Sequence, residues 1–160
     1  MEFDLGTWSI VARLGLSIGL GVVLGWEREA KGKPAGLKTI TLVCLGAATF
    51  TVITLLLTSG LSRNEDVMTD PIRLIAGLIG GIGFLGGGAI IQSGESVEGI
   101  TTAATIWVTG AVGLACGAGY FVVALLVTVG VLCALRLLSL IEGPLRRLHG
   151  TDEPPDSGRE

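Results

Sequence analysis

Histidine, aromatic residues and charged residues are all scarce in this sequence. Its 160 residues include one histidine, His149, with 5% aromatic and 16% charged residues. A typical soluble domain has about 25% charged residues. One histidine cannot form a histidine-based catalytic or metal site, and the sequence contains no nucleophile–base pair, metal cluster or phosphate loop. We therefore predict that the protein is not an enzyme and has no cofactor. The net charge of −3 gives no reason to expect nucleic acid as a partner.

Cysteine is also rare, with three residues, Cys44, Cys116 and Cys133. Each lies among apolar neighbours. An odd number of cysteines without metal-like spacing argues against a disulfide framework and against a zinc site. We expect all three to be buried as small hydrophobic side chains.

Hydrophobic residues and glycine are abundant. Hydrophobic residues make up 49% of the chain, its mean hydropathy is +0.72, and it contains 26 glycines. High glycine content with high hydrophobicity is typical of a polytopic membrane protein. The predicted fold class is an all-α polytopic membrane protein whose helices pack through Gly-, Ala- and Thr-rich faces. A transmembrane domain is predicted at 1–148 and a disordered cytoplasmic tail at 149–160. The predicted spans are about 8–25, 37–58, 72–91, 102–116 and 120–141.

The chain is organised around its glycine-rich third span. From Ile72 to Ile91 there is one charge, Arg73, and seven positions are glycine. Glycine destabilises a helix in water by roughly 1 kcal/mol relative to alanine, whereas in a membrane it lets helices approach closely. The expected helix-packing residues are Gly77, Gly81, Gly83, Gly86, Gly87 and Gly88. The run from Gly81 to Gly86 also fits a dinucleotide-binding motif, but it lies within an apolar span and does not follow a strand.

Basic residues in the predicted loops indicate the orientation. The first loop contains Arg28, Lys31, Lys33 and Lys38, and Arg146 and Arg147 follow the fifth span. Basic residues are enriched in cytoplasmic loops. We therefore predict a multi-pass protein with its N-terminus outside and its C-terminus in the cytoplasm, with the lipid bilayer as its first partner.

Charges inside or beside the spans are candidate functional residues. Arg13 lies deepest; it either pairs with Asp70 or snorkels and binds backbone carbonyls. At the inner end of the first span, Glu27-Arg28-Glu29 can recruit a partner or a hydrated cation. A solvated loop that sets the topology is the favoured interpretation of this cluster. The same two interpretations apply to Glu98.

Asp70 and Arg73 flank the start of the third span. Asp70 can cap the helix, whereas Arg73 is badly placed for the helix dipole. Arg73 also lies at a depth where an unpaired charge is unfavourable. We therefore predict a functional contact of Arg73 with Asp70, a carbonyl or a partner near the outer surface.

Thr102, Thr105 and Thr109 form a stripe at helical spacing that continues through Gly113 and Gly117. This small, polar face is typical of helix packing, and a pore lining is the alternative. Thr101 or Thr102 can also cap the fourth span. The sequence places no carboxylate at mid-membrane, which argues against a dedicated Mg²⁺ carrier. A carbonyl-lined path remains open at the triplet Gly86 to Gly88, where the helix can open.

Several short motifs, taken in order, resemble the MgtC/SapB family of bacterial inner-membrane proteins over nearly all of residues 8–140. They are Glu27-Arg28, Ala35-Gly-Leu-Lys-Thr39, Asp70-Pro71 with Arg73, Gly81-Ile-Gly-Phe-Leu-Gly86, Gly94, Val97-Glu-Gly99, Thr101-Thr-Ala-Ala104 and Trp107. The resemblance adds Lys38, Thr39 and Trp107 to the candidate functional residues. The sequence departs from the family at Lys38, where arginine is frequent, and at Gly77, where glutamine is usual.

The resemblance implies a five-span protein of the bacterial cytoplasmic membrane that supports growth in low magnesium and, in pathogens, survival inside host cells. Family members are commonly labelled magnesium transporter C, and some are thought to modulate other membrane complexes, including the ATP synthase. Virulence-linked members carry a soluble C-terminal domain; residues 142–160 are too few for one, so the chain resembles a short form. The first hypothesis is a non-enzymatic regulator of another membrane complex, with a homo-oligomer also considered. The alternative is a transporter or channel for Mg²⁺ or another small ion.

Overall fold

A computed structural model describes residues 6–61, 71–93 and 96–148 of the chain. These residues form five α-helices and one short hairpin. The helices are α1 (Thr7–Ala30), α2 (Leu37–Leu61), α3 (Pro71–Gly88), α4 (Ile100–Ala118) and α5 (Phe121–Leu148). The hairpin pairs β1 (Ile91–Ser93) with β2 (Ser96–Glu98) in antiparallel register. The tail at 149–160 lies outside the described residues.

Three of the helices are long and apolar enough to cross a membrane: α1, Leu37–Ser59 within α2, and α4. Two shorter apolar stretches, Ile72–Gly88 and Phe121–Leu137, belong to α3 and α5. In lipid a helix satisfies its own backbone hydrogen bonds, so a run of apolar helices is the arrangement that a bilayer permits. The predicted fold class, an all-α membrane protein, is confirmed. The number of spans stays a prediction.

Helix α4 lies at the centre of the bundle and contacts each of the other four helices. It runs antiparallel to α1, because Arg13 contacts Gly117 and Arg28 contacts Thr102. It runs parallel to α2. The reason for its central place is its small-residue face, where Gly113 meets the Cys44 carbonyl and Gly117 lies against Ala48. Backbones can approach this closely only where no side chain stands between them.

The buried core lies between α1, α2 and α4. Its largest fully buried side chains include Leu24, Ile40, Cys44, Val112 and Cys116. The α1–α2 contact also depends on glycine: a Cβ at Gly25 would lie 2.8 Å from the Leu37 Cα atom. Cys44 and Cys116 are buried free thiols, as predicted, whereas Cys133 is exposed on α5. The prediction for Cys133 was wrong because apolar neighbours in a membrane helix do not distinguish the core from the lipid face.

The glycines of α3 pack less closely within the chain than predicted. Gly86 lies against Ala103 of α4, where an added Cβ would come within 3.2 Å of the Ala103 carbonyl oxygen. An added Cβ would have no neighbour within 4 Å among the described residues at Gly77, Gly81, Gly83, Gly87 and Gly88. Close packing inside the chain is therefore a feature of Gly86 and of the α4 glycines. The reason is that α3 sits at the edge of the bundle and contacts α4 along one narrow line.

Two helix ends differ from the predicted ones. Helix α3 ends at Gly88, not at residue 91, and Ile91 begins the hairpin. The triplet Gly86 to Gly88 is helical; the Gly86 and Gly87 carbonyls accept hydrogen bonds from Ala89 and Ile90. The helix is therefore not open at this triplet, where an ion path was considered. Helix α5 continues through Gly143 and Pro144 to Leu148. A proline inside a helix removes one hydrogen bond and crowds the carbonyl four residues earlier, so it weakens the helix here without ending it.

The start of α4 also differs from the prediction. Its N-cap residue is Gly99, with φ of +87° and no side-chain hydrogen bond at the cap, so neither Thr101 nor Thr102 caps the helix. A side chain at Gly99 would be strained by this φ and would meet the Ala89 carbonyl. Glycine is therefore required where the hairpin turns into α4.

Candidate functional site

Arg28 connects the end of α1 to the start of α4. Its Nη2 donates a hydrogen bond of 3.0 Å to Thr102 Oγ1, and the residue is only 2% exposed. The Nε atom of Arg28 is buried and has no hydrogen-bond partner among the described residues. Among the described residues, the one hydrogen bond from this buried guanidinium goes to a neutral hydroxyl, and the neighbouring Glu27 carboxylate provides the opposite charge. Arg28 and Thr102 are both predicted candidates, and the structure brings them together.

Glu27 lies beside Arg28 on α1 and is 3% exposed. Its Oε1 atom lies 2.8 Å from Lys31 Nζ, an ion pair at i, i+4 spacing. Neither carboxylate oxygen of Glu27 has a hydrogen-bond partner within the described part of the chain, so the contact is electrostatic. Lys31 Nζ also donates a hydrogen bond of 3.1 Å to the Leu135 carbonyl of α5. The pair therefore joins the end of α1 to α5.

These contacts correct the favoured interpretation of residues 27–29. Glu27 and Arg28 are helical and buried, not part of a solvated loop. Helix α1 extends beyond its apolar stretch because Thr102, Lys31 and α5 provide partners for its polar end. Glu29 alone is exposed; its Oε2 accepts a hydrogen bond of 2.9 Å from the Leu37 N–H at the start of α2. It therefore satisfies one free donor of that helix N-terminus.

Arg13 occupies the opposite end of α4. Its Nη1 donates a hydrogen bond of 2.6 Å to the Gly117 carbonyl, and its Nε donates one of 3.2 Å to Ser9 Oγ. Helix α4 ends in a Schellman motif at Gly119, in which the Ala115 and Cys116 carbonyls accept bonds from Tyr120 and Gly119. Arg13 satisfies the next carbonyl and places a positive charge at the negative end of the helix dipole. Of the two predicted roles, carbonyl binding is confirmed.

The threonine stripe of α4 is a packing face. Thr102, Thr105 and Thr109 are all buried, and the Thr105 and Thr109 hydroxyls each donate to the carbonyl four residues earlier, at 2.7 Å. Because these three side chains are 3% exposed or less, they do not form a water-accessible lining that could replace the hydration shell of an ion. The packing interpretation of the stripe is confirmed, including its continuation through Gly113 and Gly117. The interhelical hydrogen bonds also expected of this face are observed at Thr102, whereas the Thr105 and Thr109 hydroxyls bond within α4.

The remaining candidates lie apart from these contacts. Exposed side chains are Lys38, Thr39, Arg73 and Glu98, and Trp107 is 52% exposed. Asp70 lies outside the described residues, so its predicted contacts with Arg13 and Arg73 stay predictions. Over the ranges that the structure describes, no three His, Cys, Asp or Glu side chains come together as a metal site.

Sequence reasoning missed four partners at the two ends of α4. They are Ser9, Glu29, Lys31 and Leu135. The i, i+4 spacing of Glu27 and Lys31 was a usable signal. Nothing in the sequence predicts the contact with the Leu135 carbonyl, because any backbone carbonyl can accept a hydrogen bond.

Together, the apolar helices and the two arginines that hold α4 define a polytopic helical membrane protein with buried polar contacts at both ends of its central helix. The sequence profile of the MgtC family matches residues 14–143. The chain belongs to the MgtC family.

The chain is similar to proteins from several bacteria. The chain is 41% identical over 138 residues to Protein MgtC of Salmonella typhimurium, covering 86% of this chain and 56% of the relative. It is 43% identical over 119 residues to Protein MgtC of Brucella abortus, covering 74% and 47%. It is 38% identical over 113 residues to Protein SapB of Bacillus subtilis, covering 70% and 49%. The chain thus spans about half the length of the curated relatives it matches. No solved structure matches the chain.

Proposed function

We propose that the protein is a non-enzymatic regulator of the bacterial cytoplasmic membrane, which binds another membrane complex during adaptation to low magnesium. The observation that carries this proposal is the closed interior of the bundle. Gly113 and Gly117 of α4 lie directly against the α2 backbone, and the Thr51, Thr105 and Thr109 hydroxyls bond to their own helices. An ion path needs a lining that replaces water around the ion. Tightly packed helices whose hydroxyls are buried favour binding to a partner over transport.

The low-magnesium role rests on family membership. The relatives named Protein MgtC share the membrane region with this chain. The ATP synthase is one candidate partner among membrane complexes, and self-association is another. Trp107 suits such contacts, since it is half exposed on the central helix and tryptophan is enriched among residues that dominate binding energies.

The test combines partner capture with growth. The tagged chain is expressed in a deletion strain at low magnesium and purified in mild detergent, and the co-purified proteins are identified. We expect the same membrane complex to be captured by the wild type and lost with Trp107→Ala, together with growth. The matched control is Phe84→Ala on α3, which removes an aromatic side chain that is 83% exposed and should retain both.

A flux assay separates the regulator from the transporter. Purified protein in vesicles that contain a magnesium-sensitive dye should give no Mg²⁺ entry above empty vesicles. Entry that depends on the protein and is lost in Arg28→Gln would replace the regulator by the transporter hypothesis.

A further inference from the structure

An apolar groove runs between α2 and α3, and two of the uncovered α3 glycines, Gly77 and Gly81, line it. Its volume is about 600 Å³, within the range of roughly 300–1,000 Å³ that ligand cavities occupy. The lining residues that define it are Leu42, Phe50, Leu74, Gly77, Gly81 and Leu85. The groove exists because α3 packs on α4 and diverges from α2, so side chains do not fill the space between them.

The chemistry of the lining selects an apolar occupant. Its hydroxyls come from Thr51 and Thr54, and both donate to carbonyls of their own helix at 2.8 Å. Leu42 and Phe50 are more than 60% exposed at its rim. A polar ligand would lose hydrogen bonds to water here and would find only these two hydroxyl oxygens as replacements. An extended hydrocarbon chain has no hydrogen bonds to water to lose.

The length of the groove matches one leaflet of a bilayer. On α2 it runs from Leu42 to Thr54, and twelve residues of helix extend about 18 Å. Half of a bilayer hydrocarbon core is about 15 Å deep. Both walls are apolar helices of a membrane protein, so the groove runs along the direction of lipid chains.

A positively charged side chain, that of Arg73, lies at one end of the groove. Arg73 precedes the lining residue Leu74 and lies one helical turn before the lining residue Gly77. Its side chain is exposed, and within the described ranges it forms no ion pair. A guanidinium where an apolar helix begins is at the depth of lipid headgroups, and its planar donors suit phosphate oxygens. The groove and Arg73 together are therefore complementary to a phospholipid, with the acyl chain in the groove and the phosphate on Arg73.

We infer that the α2–α3 groove binds a phospholipid, with one acyl chain between the helices and its phosphate on Arg73. This site is separate from the Arg28–Thr102 contact and does not depend on the proposed regulatory function. It also accounts for an arginine at a position where neither the helix dipole nor the topology favours one.

The experiment measures phosphatidylglycerol retained by the full chain after purification in mild detergent, by native mass spectrometry. The wild type should retain one phosphatidylglycerol. The double variant Gly77→Leu, Gly81→Leu fills the groove from α3 and should retain at least about tenfold less. The matched control is Gly80→Leu, since Gly80 lies on the same helix, has no neighbour within 4 Å and does not line the groove. It should retain lipid as the wild type does.

A second variant guards against misfolding of the first. Gly46→Leu fills the groove from α2, where an added Cβ also has no neighbour within 4 Å.

Arg73→Gln tests the headgroup contact. It should weaken retention of phosphatidylglycerol but leave retention of diacylglycerol with the same acyl chains unchanged. Millimolar inorganic phosphate should not displace the lipid; displacement would make the site one for free phosphate and overturn the proposal.

Two further results would also overturn it. One is full retention of phosphatidylglycerol by folded Gly46→Leu and by the double variant. The other is a lipid-free wild-type dimer that the groove-filling variants convert to monomer, since the groove would then be a self-association face.

Discussion

Arg13 and Arg28 bind the two ends of α4 in different ways. Arg13 donates to a helix-terminal carbonyl, where its charge also complements the helix dipole. Arg28 lies at the positive end of the same dipole and donates to a neutral hydroxyl. Helix stability therefore explains Arg13 but not Arg28. This difference assigns a structural role to Arg13 and leaves Arg28 as the candidate for function.

Replacing Arg13 should destabilise the bundle. In Arg13→Gln the Gly117 carbonyl loses its donor, and an unsatisfied buried acceptor costs about 1–3 kcal/mol. We expect a clearly lower unfolding temperature in detergent than for the wild type. The control is Lys38→Gln, an exposed site at the start of α2 that should unfold like the wild type. Equal unfolding temperatures for all three proteins would contradict the structural role of Arg13.

The Arg28–Thr102 contact can be measured by a double-mutant cycle. We expect Arg28→Gln and Thr102→Val to be non-additive, with a coupling free energy of about 0.5–3 kcal/mol in detergent unfolding, because the two side chains share one buried hydrogen bond. Strict additivity would mean that the contact contributes nothing to stability.

At this scale the sequence identifies the residues better than their partners. Arg13 is recognisable as a charge within an apolar span, Arg28 as part of a charged cluster and Thr102 as part of a polar stripe, and all three are buried. Yet charge pattern alone favoured a solvated loop at Glu27 and Arg28. The i, i+4 spacing of Glu27 and Lys31 indicates their ion pair. However, the pattern cannot reveal that Thr102 lies beside Arg28, because Thr102 is far away in sequence and is brought close by the antiparallel packing of α1 and α4.

At the scale of helices, glycines in α3 and α4 have different environments despite similar spacing. Gly113 and Gly117 press against the backbone of α2, whereas Gly77 and Gly81 border the open groove. Both pairs fit the GxxxG pattern, so the pattern predicts that helices can approach but not which ones do. Only the arrangement of the other four helices around α4 decides the face that each glycine presents.

Two alanine substitutions should therefore have opposite effects. Gly113→Ala forces a methyl group against the Cys44 carbonyl and 2.8 Å from the Ala47 Cβ, so we expect about 1–3 kcal/mol of destabilisation. Gly83→Ala meets no neighbour within 4 Å and gains helix propensity, worth up to about 1 kcal/mol. Unfolding in detergent compares the two. A larger loss for Gly83→Ala would mean that α3 packs closely, against a second copy or another protein.

At the scale of the whole molecule, the contacts of α1 and α4 fix which loops share a side. Arg28 contacts Thr102, so the basic loop at 31–36 and the hairpin lie at the same end of the bundle. Arg13 contacts Gly117, so the N-terminal end of α1 and the α4–α5 turn lie at the other end. The hairpin segment that follows α3 carries no basic residue through Glu98, so its own charge does not indicate its side. The structure ties it to the loop that contains Lys31 and Lys33.

This arrangement makes the predicted orientation testable at three exposed positions. Lys33 lies in the basic loop, Val97 in the hairpin, and Tyr120 in the α4–α5 turn, and each side chain is exposed. Cysteine is introduced singly as Lys33→Cys, Val97→Cys or Tyr120→Cys into a Cys133→Ser background, because Cys133 is an exposed thiol and Cys44 and Cys116 are buried. A membrane-impermeant maleimide is applied to cells with a permeable outer envelope and an intact cytoplasmic membrane.

With the N-terminus outside, Tyr120→Cys should be labelled in these cells, and Lys33→Cys and Val97→Cys only after the cytoplasmic membrane is opened. The parent Cys133→Ser protein should remain unlabelled in both conditions. The reverse pattern at all three positions would invert the orientation but keep the bundle. Labelling of Lys33→Cys and Val97→Cys from different sides would instead contradict the antiparallel packing of α1 and α4, since no crossing of the membrane separates two loops joined by the Arg28–Thr102 contact.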